Sequence, residues 1–176
     1  MTYRGRWDDA ANPKGKKEFL IDTADTINVG DLMWWDNVSR VARRFSHSST
    51  WSGSLDGTQG KVAENFLGHA GSAHVAGDTA VTFVRIDSLG VYGYPVTTPA
   101  AFEIGDYITA SKDPAGSLLL DQAVDKAATD ASNEVTARGR EISIGRAMRR
   151  YPVATPIVEM GIRGVKEPGS SRPLSS

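Results

Sequence analysis

The chain contains no cysteine among its 176 residues. Disulfides, thiolate metal sites and cysteine nucleophiles are therefore excluded together. No apolar run approaches the ~18 residues of a membrane span. Residues 1–17 are polar and charged, without the apolar core of a secretory signal. From these absences we expect a soluble protein, made in a cytoplasm, that makes no membrane contact.

Neither sign of charge dominates the sequence. The 20 Lys and Arg residues against 21 Asp and Glu residues leave a net charge of −1, so we expect no nucleic-acid partner. Hydrophobic residues at 40% and charged residues at 23% are ordinary for a globular chain. The 18 glycines favour turn-rich β structure over a helical bundle.

One short pattern occurs twice. Residues 27–35 read Ile-Asn-Val-Gly-Asp-Leu-Met-Trp-Trp, and residues 102–110 read Phe-Glu-Ile-Gly-Asp-Tyr-Ile-Thr-Ala. Alternating apolar residues, a Gly-Asp step and a β-prone run predict a strand, a tight corner and a second strand. The two glycines, Gly30 and Gly105, are 75 positions apart.

Three other landmarks recur in the same order. They pair residues 19–21 with 94–96, residues 65–70 with 141–147, and residues 79–86 with 155–162. Four ordered matches predict an internal duplication of one β unit. Chance similarity between two unrelated β segments is the alternative.

These landmarks set the predicted organisation. We expect a mainly β fold of two tandem small β-barrel units with at most one short helix. The predicted parts are an extended N-terminal arm (1–17), a first β unit (18–90), a second β unit (91–165) and a flexible C-terminal tail (166–176).

Segments between the landmarks are less regular. Residues 78–86 alternate well and form the clearest predicted strand. Residues 46–60 are rich in Ser, Gly and Thr and are predicted to form a loop. Residues 125–134 fit either a short helix or a polar loop.

No catalytic constellation stands out. Gly60-Lys61 lacks the flanking glycine and hydroxyl of a phosphate-binding loop, and no serine elbow is present. Asp31 and Asp106 fit turn acids that bond local amides better than an acid–base pair. We therefore predict no catalytic residue, no cofactor and no enzyme activity. A hydrolase would need His and acidic residues clustered in a deep pocket.

The three histidines also fail to indicate a metal site. They are His47, His69 and His74, and a site would need further ligands in fixed geometry. His69 aligns with Arg146 of the second unit, which predicts a variable surface position. We expect no bound metal.

Adjacent tryptophans on a strand point to opposite faces, so one of Trp34 and Trp35 should fill the core. The other should lie at an interface or on the surface. Exposed Trp35 and Trp51 would provide stacking platforms for sugars. A carbohydrate- or receptor-binding β module, of a phage tail or a cell surface, is therefore the alternative function.

Basic residues concentrate at two places. The arm combines positive charge with aromatic side chains, and an Arg-rich segment lies near the end of the second unit; acidic residues at 121, 125, 130 and 134 form a patch of opposite sign. A mobile terminus is the alternative for the arm. The predicted partner-binding residues are Tyr3, Arg4, Arg6, Trp7, Lys14, Lys16, Lys17, Arg138, Arg140, Arg149 and Arg150.

The order of motifs resembles small β-barrel proteins of tailed-bacteriophage structural operons, the capsid decoration, cement or minor capsid proteins of the β-tulip-like kind. Residues 104–108 (Ile-Gly-Asp-Tyr-Ile), 144–147 (Ile-Gly-Arg-Ala) and 157–160 (Ile-Val-Glu-Met) provide the main likeness. Residues 29–32 and 66–70 form its weaker first copy. The duplication and the long arm depart from the simplest single-barrel pattern.

The resemblance implies a virion structural protein without enzyme activity, located on the capsid surface. Such a protein binds the outside of the shell and bridges neighbouring major capsid protein subunits, often as a homotrimer. Under this hypothesis the arm and the Arg-rich face bind, and the barrels provide stiffness.

Overall fold

The computed structural model describes residues 16–128 and 136–164. As predicted, the fold is mainly β. The strands are β1 (Lys16–Leu20), β2 (Leu32–Asp36), β3 (Val41–Arg44), β4 (Phe66–Ala70), β5 (Phe83–Asp87), β6 (Leu89–Phe102), β7 (Tyr107–Lys112), β8 (Leu119–Lys126), β9 (Ser143–Ala147) and β10 (Tyr151–Arg163). The helices are α1 (Leu55–Glu64) and α2 (Ala137–Glu141), with a 3-10 turn at Ser48–Thr50.

The second half of the chain forms a closed five-stranded barrel in the order β10-β6-β8-β7-β9. All neighbours are antiparallel except β6 and β8, which meet in parallel at Val96 and Val124. Closure removes the free sheet edges that a small open sheet would expose.

The first half forms a five-stranded sheet with a matching pattern of strand pairs. Its strands follow the order β1-β5-β4-β2-β3, and a parallel bridge between Ile21 and Ala42 joins the β1 end to β3. Replacing β1 to β5 by β6 to β10 reproduces every pairing of the barrel in the second half. Both halves also place their helix between the third and fourth strands. The origin of this likeness by duplication stays a prediction.

Core positions correspond in the two halves. Each half buries apolar side chains at matching points along its strands. The matched buried pairs are Ile21 and Val96, Ile27 and Phe102, Met33 and Ile108, Leu67 and Ile144, Ala70 and Ala147, Val84 and Val158, and Ile86 and Met160.

The two halves also share a core. One cluster packs on the first sheet, whereas the larger cluster joins Trp34, Val62 and Phe66 of the first half to the interior of the barrel in the second half. Helix α1 packs against β7 and β9. Because each half is near the lower size limit for an independent core, this shared burial stabilises both.

Three boundaries differ from the sequence prediction. The strand predicted at residues 78–86 is shorter, because β5 spans Phe83–Asp87. The loop predicted at residues 46–60 is wrong in its second part, because α1 begins at Leu55, and the described residues contain two helices rather than at most one. Ser54 accepts a hydrogen bond from the Gly57 N–H and thereby caps α1. Strand β1 begins at Lys16, so Lys16 and Lys17 belong to the first sheet.

Within residues 16–128 and 136–164, neither helix has the length and apolar character needed to cross a bilayer.

Candidate functional site

The two Gly-Asp corners are built alike. Gly30 and Gly105 have positive φ angles of 96° and 90°, and each N–H donates to the carbonyl of the matching alanine, Ala70 or Ala147, at 2.8 Å. The Asp31 carboxylate accepts the Asn28 N–H at 2.8 Å, and the Asp106 carboxylate accepts the Glu103 N–H at 2.9 Å. The prediction that these acids are turn residues is confirmed.

A buried arginine organises an ionic cluster of the first sheet. Arg43 Nη1 lies 2.9 Å from Asp25 and 3.2 Å from Asp22, and its Nε lies 3.6 Å from Asp36. A hydrogen bond from the Ala24 N–H lowers the pKa of Asp22, and Arg43 lowers it further. Three carboxylates around one guanidinium join the β1–β2 connection to β2 and β3.

His47 lies beside this cluster in an arrangement that superficially matches a serine triad. Its Nδ1 is 2.8 Å from the Ser49 hydroxyl, and its Nε2 is 3.6 Å from Asp25. However, Nδ1 also accepts the Ser49 backbone N–H at 3.1 Å, which caps the 3-10 turn. Burial and the nearby charge of Arg43 lower the pKa of His47. This geometry fixes a turn, which is a structural use of the residue.

His74 holds the connection between β4 and β5. Its Nδ1 lies 2.7 Å from the Asp25 carbonyl and its Nε2 lies 3.0 Å from the Asp78 carbonyl. Both carbonyls can be satisfied together only when both ring nitrogens carry protons. The hydrogen bond to Asp78 is the main reason why the pKa of His74 is raised.

These shifts predict opposite pH effects for the two histidines. His74 stabilises the fold below its unfolded pKa of about 6.5, and this contribution is lost as pH rises through the higher folded pKa. His47 has a lowered pKa, so its contribution is lost as pH falls. We expect the urea midpoint to decrease as pH rises above about 6.5, and His74→Asn to reduce this slope.

His47→Asn serves as the comparison, because it should instead reduce the loss of stability on the acid side. An unchanged slope above pH 6.5 in His74→Asn would contradict this account of the two carbonyl contacts.

The surface position predicted for His69 is wrong. The side chain is only 4% exposed, its ring centroid lies 3.7 Å from that of Tyr92, and its Nδ1 lies 3.1 Å from the Tyr94 hydroxyl. Its Nε2 lies 3.6 Å from Asp87. Burial raises the pKa of Tyr94, so its hydroxyl stays protonated. His69 therefore belongs to a polar contact between the two halves of the chain.

The tryptophan prediction is confirmed. Trp34 is buried in the shared core, and its indole N–H donates to the Thr50 hydroxyl at 3.0 Å. Trp35 is half-buried on the other face, with its ring 6.1 Å from that of Phe19. Trp51 is also half-buried. The use of these rings for sugar binding stays a prediction.

Some arginines of the predicted Arg-rich face form ion pairs within the protein. Arg138 pairs with Asp56 at 2.7 Å and with Glu141 at 3.0 Å, which joins α2 to α1. Arg150 pairs with Glu103 at 3.0 Å. Arg149 lies over the Tyr151 ring, and Arg140 is exposed on α2. The partner-binding role of these residues stays a prediction.

The predicted partner-binding residues of the N-terminal arm lie partly in β1. Lys16 and Lys17 pair with Asp87 and Ile86 in the sheet register of β1 and β5. The remaining predicted arm residues lie outside the described residues: Tyr3, Arg4, Arg6, Trp7 and Lys14.

Two residues of the predicted acidic patch also accept hydrogen bonds from other parts of the chain. Asp121 accepts hydrogen bonds from the Ser46 N–H and hydroxyl, and burial raises the pKa of its carboxyl. Asp125 accepts from the Thr98 N–H and the Ser111 hydroxyl. Residues 130 and 134 lie outside the described residues.

Two surface features were not predicted from the sequence. The first is a strand pair, here called the β6–β10 ribbon, made of residues 97–101 and 152–157. Its register contains two irregularities, and runs of consecutive exposed residues show that both faces meet solvent. Val153 is 73% exposed and Ile157 is 55% exposed. Prolines at 95, 99, 152 and 156 were the available sequence signal.

The second feature is an open depression of about 340 Å³ where β4 and α1 approach β9 and β10. Its lining residues are Ala63, Phe66, Ser143, Ile144, Gly145, Arg146, Met148 and Gly161. Two strand glycines were the sequence signal, because a glycine in a strand often marks a close approach or a missing side chain.

In the described part of the chain, no three His, Asp or Glu side chains are grouped so that they could hold a metal ion. Comparison with known proteins gives no match to a family model, to a curated protein or to a solved structure.

Proposed function

We propose that this chain is a phage virion structural protein, a decoration or cement protein that binds the outer capsid surface. In this role it bridges and stabilises major capsid protein subunits and associates with its own copies, as a homotrimer. The motif order around Gly105, Gly145 and Val158 first suggests this role. The β6–β10 ribbon is the observation that supports it best.

The ribbon has the properties of a protein-binding surface. It exposes the branched apolar side chains of Val153 and Ile157, and such exposure is costly unless a partner covers it. Proline residues fix the backbone and remove N–H donors, so another strand cannot easily add to this edge. Binding would then use side-chain contacts, at a low cost in conformational entropy.

The body behind the ribbon suits a bridging role. One apolar cluster contains residues of both five-stranded units, and α1 and α2 are joined through Arg138 and Asp56. A shared core resists relative movement of the two units. A protein that joins two capsid subunits benefits from such a body, because force on one contact reaches the other without bending.

The test is co-sedimentation with shells of the phage whose structural operon encodes the chain. We expect the full chain to sediment with shells, and Val153→Asp with Ile157→Asp to weaken binding more than tenfold, because two charges would enter an apolar interface. The matched control is Val38→Asp. Val38 is 94% exposed in the β2–β3 turn, and its substitution should leave binding unchanged.

Failure of the full chain to sediment with shells would reject the capsid function. Equal loss in the Val38 control would reject the specific role of the ribbon.

The arm is tested in the same assay. A chain that lacks residues 1–15 keeps β1 intact, because the strand begins at Lys16. If this chain binds shells as well as the full chain does, the predicted role of the arm is removed.

A further inference from the structure

We propose that the depression between the first sheet and the barrel binds a polypeptide segment of a partner protein in which a large apolar side chain is followed by a carboxylate. The apolar side chain would enter the depression, and the carboxylate would meet Arg146. This proposal does not depend on the capsid function.

Two glycines contribute backbone, rather than side chains, to the lining of the depression. Gly145 and Gly161 lie on adjacent strands, where Gly161 pairs with Arg146 and Gly145 pairs with Ile162. Phe66 and Ile144 contribute apolar lining. The volume of about 340 Å³ is at the lower end of the range for ligand sites. An open apolar hollow of this size suits one anchoring side chain of a peptide.

Met148 gives this wall an adaptable surface. It is 50% exposed, and a Cβ added to Gly161 would lie 2.6 Å from its sulfur, so the thioether covers that glycine closely. Methionine side chains are flexible and adjust to different apolar partners. Met148 can therefore move to admit a side chain without a change in the backbone.

Arg146 supplies the charge preference at the rim. Its guanidinium stacks 4.2 Å from the Tyr107 ring centroid and donates to the Tyr107 hydroxyl at 2.6 Å. Within residues 16–128 and 136–164, no carboxylate lies within ion-pair distance of Arg146, whereas Arg138 and Arg150 both have acidic partners. The hydrogen bond to Tyr107 uses one of the five N–H donors of the Arg146 guanidinium. Arg146 therefore still has donors for the carboxylate of a bound peptide.

The experiment titrates the full chain with acetyl-Gly-Phe-Glu-Gly-amide and follows backbone amide signals by NMR. Signals of Gly145, Arg146 and Gly161 should shift. A peptide with Gln in place of Glu should bind about fivefold more weakly, as expected for one partly exposed ion pair. A peptide with Ala in place of Phe should show no saturable binding.

Two protein variants and their controls locate the site. Gly161→Ala should weaken binding of the Glu peptide at least fivefold, because the new methyl group displaces Met148 into the depression. Its control is Gly93→Ala, where the new methyl group meets only Ile157 at 3.8 Å in β6 of the same barrel. Arg146→Gln should make the Glu and Gln peptides bind equally, whereas Arg150→Gln should keep their difference.

The proposal would be overturned by any of three results. These are amide signal shifts confined to residues outside the depression, equal binding of the Glu and Gln peptides by the unaltered protein, and full binding by Gly161→Ala. Shifts of the Gly145 and Gly161 signals with protein concentration alone would assign the depression to a second copy of this chain and would also overturn it.

Discussion

Gly68→Ala should lower the free energy of unfolding by about 4 kcal/mol, the sum of a backbone strain and a steric overlap. Gly68 lies in β4 with a φ of 136°, a conformation that L side chains rarely adopt. A Cβ there would collide with the Asp87 carbonyl oxygen and would lie 2.8 Å from the Ser88 Cα. These are backbone atoms at the crossing from the first sheet to the barrel, and they cannot move aside alone.

Two glycine controls separate the two causes. Gly77 has a φ of 88° with open space around it, so Gly77→Ala should cost only the strain, about 1 kcal/mol. Gly164 has no positive φ, but a Cβ there would collide with the Leu67 carbonyl. Gly164→Ala should therefore show the overlap without the strain. Urea denaturation measures all three, and equal losses for Gly68→Ala and Gly77→Ala would contradict the predicted overlap.

Trp34→Ala should destabilise the protein by about 4 kcal/mol, which is typical of removing a large buried aromatic side chain. Trp34 is 1% exposed and contributes to the core that joins the two halves. The substitution also leaves the buried Thr50 hydroxyl without the indole donor at 3.0 Å. For a chain of this length, the melting temperature should fall by roughly 8–16 °C.

Trp35→Ala is the matched control on the neighbouring position. Trp35 is half-buried against Phe19, and we expect a loss of about 1–2 kcal/mol. Because the two halves share a core, calorimetry of Trp34→Ala should still show one transition. Two separate transitions, or a smaller loss than in Trp35→Ala, would contradict the shared core.

The sequence of the Arg-rich segment does not show which of its charges are paired within the protein. Its positive charge is evident from the sequence, but the acidic partners of Arg138 lie in α1 and α2 and that of Arg150 lies before the β6–β7 corner. Ion pairs between residues 47 or 82 positions apart require the folded chain. The same holds for the acidic residues, because Asp121 is satisfied by Ser46, 75 positions away.

Helix α1 was missed for a related reason. Its ten residues include two glycines and one threonine, which argues against an isolated helix. In the structure Val62 and Ala63 are buried, and a Cβ on Gly60 would lie 2.9 Å from the Arg138 guanidinium. Tertiary packing therefore stabilises a helix that local propensity does not favour, and the glycine admits the arginine that joins α1 to α2.

The sequence by itself determined the features that depend on nearby residues. The two Gly-Asp corners, the alternation of β5 and the opposite faces of Trp34 and Trp35 follow from interactions over a few positions. Only the tertiary structure decided which matching positions are buried. His69 and Arg146 align, yet His69 packs on Tyr92 and Tyr94 whereas Arg146 faces solvent. Contact between the two halves gives His69 and Arg146 different environments. That contact is made by residues far apart in the chain.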